Sequence, residues 1–184
     1  MSSRKLNDEG FTGLEAAIVL IAFVVVAAVF SYVVLGAGFF TTQKAQETVY
    51  KGVEQSTANI QMIGNVYGLS SDNVSITNVT FVIGLAPGAS AIDLTNMKIV
   101  FSTPTTSPII LAQGTTASTT VFTTQIGATP VTSMNPNDQV EIAFLTAGVP
   151  ANTKMTMELR PSVGAALPFS KTAPATITKT NVLY

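Results

Sequence analysis

The sequence has no cysteine, no histidine and no tryptophan. Without cysteine there is no disulfide and no thiol nucleophile. Without histidine the usual general base and the commonest zinc ligand are both missing. Carboxylates and lysine are what remains for catalysis, and Asp72, Asp93, Asp138 and Glu141 are scattered along the chain. None of them falls in an EF-hand spacing, and "NPND" reads first as a turn. No metal ligand and no cofactor is therefore assigned. Charge is scarce as well. Only 10% of the 184 residues are charged and the net charge is −1, so no basic surface points to nucleic acid. No glycine-rich phosphate loop appears either. The composition points away from an enzyme.

What is present is an apolar run of unusual length. From Ala16 to Phe40 there are 25 residues without a charge. As a helix this run is about 37 Å long, against a bilayer core of roughly 30 Å. It is apolar on every side and must be buried on every side, by lipid or by protein. A secretory signal has a core of about 7–15 residues, which this run exceeds. Arg4 and Lys5 precede it and favour an amino terminus held in the cytoplasm. Glu15 is the one carboxylate near its start.

The helical signal continues past the apolar run. "TTQKAQETVYKGVEQSTANIQMIGNVYG" has no proline. Ala45, Val49, Val53, Ile60, Ile63 and Tyr67 recur mostly at three- and four-residue steps, tracing one apolar face. Glu47 and Lys51 form an i,i+4 pair in the favourable order. Gly68 before "LSSDN" looks like the stop. The spacing predicts one helix from about Thr12 to Tyr67, roughly 84 Å long.

After residue 70 the period becomes two. "KMTMELR" turns Met155, Met157 and Leu159 one way and their neighbours the other, and "QVEIAF" repeats the pattern. Short runs of this kind are punctuated by "APG", "TPTTSP", "GATP", "NPND" and "GVP". The pattern predicts an all-β sandwich of about seven strands, immunoglobulin-like in architecture. "PSVGAALPFSKTAP" has too much proline for a central strand and reads as an edge or a loop. The fold class is α+β, a long amino-terminal helix followed by the β-sandwich.

The segment "DEGFTGLEAAIVLIAFVVVAAVFSYVVLGAGFFTTQKAQE" resembles the amino terminus of archaeal flagellins (archaellins), members of the type IV pilin-like superfamily. The resemblance covers roughly the first sixty residues; beyond them it rests on architecture. It implies a prepilin-type signal peptide over residues 1–10, cut by a prepilin-type peptidase between Gly10 and Phe11. A filament-core helix over 11–68 and an outer β-domain over 69–184 would follow. Glu15 then stands fifth in the mature chain, where the superfamily carries a glutamate. Its carboxylate either favours the first helical turn through the helix dipole or pairs with the new α-amine of Phe11, on a neighbouring subunit. Val25 and Val29 lie mid-helix, where neighbours in a filament must fit closely.

Two N-x-S/T sequons stand at Asn73 and Asn78. Val74 and Ile76 are expected to point inward, and so are Val79, Phe81 and Ile83 after a bulge at Thr77–Asn78. That arrangement turns both asparagines outward. Archaellins are often N-glycosylated at such sites, so the resemblance makes both candidates.

Three functions remain open at this stage. The first is a structural subunit that polymerises through its helix into the archaeal flagellum, an extracellular filament turned by a membrane motor for swimming. Its precursor would sit in the cytoplasmic membrane. The second is an adhesion pilin built on the same physics. The third is a membrane-anchored β-domain that binds a ligand. A second apolar face beyond residue 44 argues against the third, because a lone anchor has no use for it.

Overall fold

The computed structural model of the chain describes residues 3–184, with side chains from Thr12 onward. The chain divides into two units, Met1–Tyr50 and Lys51–Tyr184, which are described in turn. One helix, α1 (Ser3–Thr57), makes up the first unit and enters the second. Its 55 residues correspond to about 82 Å. No proline interrupts it. Gly36 and Gly38 lie in its interior, and four residues on from Ala37 and Gly38 the hydroxyls of Thr41 and Thr42 donate back to their carbonyls at 2.8 and 2.9 Å.

The helix stops ten residues earlier than its apolar spacing predicts. After Thr57 the Asn59 side-chain amide donates to the Ser56 carbonyl at 3.1 Å, which satisfies one of the last orphan acceptors. Residues 60–69 are then a strand, not the last turns of a helix. The misreading has a physical source. Gly64 takes a positive φ of 74°, and the ladder shifts register between Ile63 and Tyr67. That irregularity spaces the apolar residues of the strand in a way that mimics a helical face.

The second unit carries twelve strands. They are β1 (Ile60–Leu69), β2 (Ser75–Leu85), β3 (Ile92–Asp93), β4 (Lys98–Thr103), β5 (Thr106–Gln113) and β6 (Val121–Ile126). Then come β7 (Thr129–Pro130), β8 (Ser133–Met134), β9 (Gln139–Pro150), β10 (Lys154–Arg160), β11 (Leu167–Thr172) and β12 (Thr180–Leu183). Ten of them form one sheet in the order β11-β10-β4-β5-β6-β9-β2-β1-β12, with β7 on β6; β3 and β8 pair separately. All contacts along the sheet are antiparallel except the short parallel pairing of β5 with β6.

The expected sandwich appears in a modified form. Its two layers belong to one continuous sheet that wraps on itself, and the strands outnumber the seven expected. Phe101 of β4 meets Phe144 of β9 edge to face at 5.5 Å, and Phe81 of β2 meets Phe169 of β11 at 5.4 Å. The two ends of the sheet join. The Thr172 N–H donates to the Tyr184 carbonyl at 2.6 Å, and the Tyr184 N–H returns a bond at 3.3 Å. Closure of this kind removes exposed strand edges. The core between the layers includes Phe81, Phe122, Phe144, Ile83, Ile99 and Ile142, all fully buried. Each such side chain contributes about 1.5–3 kcal/mol relative to exposure. Met155, Met157 and Leu159 point into it, and so do Val140, Ile142 and Phe144, as the alternation of "KMTMELR" and "QVEIAF" requires. The proline-rich segment contributes β11, at one end of the sheet order.

Candidate functional site

The helix is the first candidate. From Thr12 to Ser56 every residue is exposed, and none of the most apolar stretch is buried within the chain. Val25 is 55% exposed and Val29 59%. Together with Val26, Phe30 and Val33 they line a shallow groove made wholly of apolar side chains. Leu20, Phe23 and Leu35 project as far. The run is long and apolar enough to cross a membrane. Among the described residues it is exposed along its whole length, so its burial has to come from outside. Past the apolar run, Lys44 donates to Glu47 at 2.7 Å, while Val49, Tyr50 and Val53 stay open. Glu15 is exposed on the same helix. Gly10 and Phe11 lie in the same helix, and their side chains are outside those described.

The two sequons sit in different surroundings. Asn73 is exposed, but in the turn between β1 and β2 rather than on a strand, with a left-handed φ of 57°. Asp72 organises that turn. Its Oδ1 accepts the N–H groups of Val74 at 3.0 Å and Ser75 at 3.1 Å, and the Ser70 hydroxyl at 2.9 Å. These bonds, led by the Val74 and Ser75 N–H groups, pull the Asp72 carboxyl down to about 2. The turn also corrects Val74, which is 71% exposed rather than inward. The bulge is where the alternation places it, between Ile76 and Asn78, and the Thr146 hydroxyl donates to the Ile76 carbonyl across it. Asn78 itself is only half-exposed, and its Oδ1 is buried without a hydrogen-bond partner. It alternates with the buried Val79 and Phe81, on the outward side with Thr80 and Val82, but its side chain is half-covered there.

The remaining carboxylates are turn-formers or strand residues. Asp93 accepts the Thr95 N–H at 2.9 Å, which holds its carboxyl below the ordinary range. Asp138 accepts the Asn135 N–H at 2.9 Å, closing the "NPND" turn. Among the described residues no three acidic side chains gather in one place. One feature escaped the sequence. Tyr67, at 41% exposure, stands beside Val182, at 45%, on the outer face of the sheet. That neighbourhood depends on pairing the first strand with the last, which local periodicity does not encode.

A closed β-domain joined to a helix that has no cover of its own is the make-up of a protein that buries its amino terminus against other molecules. The comparisons with known proteins make this specific. The chain belongs to the archaeal-type flagellin family, which it matches over residues 10–171. It is 38% identical to "Probable flagellin 1" of Archaeoglobus fulgidus, over 96% of each chain. Over 32 residues it is 91% identical to the "24 kDa flagellin" of Methanospirillum hungatei, which covers 17% of this chain and all of that one. Its structure is similar to the archaeal flagellum of Methanospirillum hungatei strain JF1, with a TM-score of 0.73 at 34% identity, covering 94% of this chain and 99% of that one.

Proposed function

We propose that this chain is a structural subunit of an archaeal flagellar filament, polymerising through α1 and turned by a membrane motor for swimming. The observation that carries this reading is the uncovered apolar helix in a chain of the flagellin family. A helix apolar all round is stable in lipid, and equally so when ringed by copies of itself. The precursor is held in the cytoplasmic membrane and the assembled subunit lies outside the cell. A prepilin-type peptidase cuts between Gly10 and Phe11, so assembled protein begins at Phe11; intact mass of purified filaments checks this. Glu15 then offsets its burial by pairing in the filament core, since a lone carboxylate there is costly. Of the two sequons, Asn73 is the better acceptor for a glycan, because it stands open at a turn.

Substitution of Val25 by Asp tests the assembly claim. A charge at mid-helix costs roughly 2.5–3.5 kcal/mol on insertion scales. Cells with the variant should carry no filaments and should not swim. Loss of filaments with normal swimming but weak surface attachment would transfer the assignment to an adhesion pilin. Wild-type cells lacking any filament that contains this chain would leave the anchored binding domain.

A further inference from the structure

The two outer faces of the wrapped sheet differ in charge. On the β4–β10 layer the outward side chains include Lys98, Lys154, Glu158 and Arg160. Arg160 is held by Glu158 through two bonds, at 2.9 and 3.0 Å. Lys98 stands directly opposite Arg160 across the strands, exposed, with no ion-pair partner among the described residues. The face is therefore basic, with two positive charges in excess. It also bears Ile110, 61% exposed and in register with Val100.

The opposite face, formed by β6, β9, β2, β1 and β12, has the reverse character. Among the described residues of these five strands the one charged side chain is Glu141. It is half-buried, between Gln125 of β6 and Val82 of β2, and among the described residues its side chain accepts one hydrogen bond, a long one of 3.4 Å from the Gln125 amide. No cation meets it. Around it the rows are apolar or hydroxylic: Val82 beside Ile63, then Ala143, Thr80, Tyr67 and Val182. Asp72, Asp138 and Lys179 stand only in the bordering turns. Glu141 is thus the one acidic group on a strand face otherwise short of charge, opposite in sign to the β4–β10 face.

We infer that this face is covered in the filament by the β4–β10 face of a second copy of the chain, with Glu141 of one copy meeting Lys98 of the next. The inference rests on the filament reading and names the contact that the outer domains add to it. The two faces lie on opposite sides of the domain, because Phe101 and Phe144 pack between the layers. A contact between unlike faces does not close after one step and repeats as an open helical array. Charge complementarity fixes its register, and the apolar rows supply the buried area.

The test is a charge swap in the full chain, read as filament yield in cells lacking the wild-type copy. Glu141→Lys and Lys98→Glu each bring like charges together at every repeat, and each should lower yield roughly tenfold or more. Glu141→Gln keeps the shape and removes the charge, with a smaller loss expected. The double variant E141K/K98E should restore yield towards wild type, which general misfolding would not do. Single swaps that assemble like wild type overturn the inference. So does a double variant that stays as defective as the singles while E141Q assembles fully. Filaments indifferent to all of these substitutions remove this contact only, whereas a wild-type chain that forms no filament removes the reading beneath it.

Discussion

At the scale of single residues, Asp72 shows how much a turn can hold. Its carboxyl is drawn from the ordinary 3.8 to about 2 by the Val74 and Ser75 N–H groups and the Ser70 hydroxyl. A depressed folded-state value means that its contribution is present in full above about pH 4 and is lost as pH falls towards 2. Asp72→Asn should lower the Tm at neutral pH, and the gap to wild type should narrow as pH drops through that window. Melting curves from pH 7 to pH 2 check it; a gap independent of pH would assign the effect to packing. Residues such as Asp72 were poorly legible beforehand. Strand alternation treats Asn73, Val74 and Ser75 as successive faces of a ladder, yet Asp72 pulls the backbone around them into a turn. Asn78 was better placed, because the slip in its apolar pattern marks a real bulge. Its burial was not legible, since it depends on β1 and β9 flanking it.

At the scale of elements, the junction between helix and sheet is the instructive one. Long uninterrupted periodicity was reliable: the apolar run is helix, and "KMTMELR" and "QVEIAF" lie in β10 and β9. The stretch from Ile60 to Tyr67 fits a helix by spacing and a strand by tertiary pairing, and pairing decides. β1 lies between β2 and β12, and it is the one partner β12 has in the sheet. Ile60 and Val66 are buried there. A fragment of residues 58–184 should therefore be soluble, monomeric and rich in β-structure by circular dichroism. A fragment of residues 70–184 loses the strand that joins β12 to β2 and two buried side chains worth about 1.5–3 kcal/mol each. It should aggregate or unfold without a cooperative transition. Equal melting of the two fragments would show β1 to be dispensable. The start of the domain is tied down in another way. Gly164, at φ 100°, lets the backbone pass so close to the Ala58 carbonyl that a Cβ would lie 1.6 Å from it. No local pattern in "PSVGAALP" signals such a contact.

At the scale of the whole molecule, the plan of an apolar helix ahead of a β-domain was legible from the sequence pattern, because the two halves differ in period and polarity. The wrapping of the sheet was not, since it joins residues at opposite ends of the domain. The two halves also respond differently to damage. A cavity in the β-core costs one subunit its stability, about 3–5 kcal/mol for Phe→Ala. A charge at Val25 acts on every neighbour of every subunit, which is why the expected outcome is loss of filaments rather than fewer of them. The ring formed by Thr172 and Tyr184 sets a timetable as well. β1 is the first strand to leave the ribosome and β12 the last, and they are partners. Until residues 180–184 emerge, β1 has one neighbour in place of two, and β11 has nothing to close against. Such pairings between distant parts of a chain are slow to form. The helix can meanwhile form one bond per residue as it is made. During synthesis, then, the amino-terminal helix is finished long before the domain behind it can lock, and residues 180–184 act as the latch.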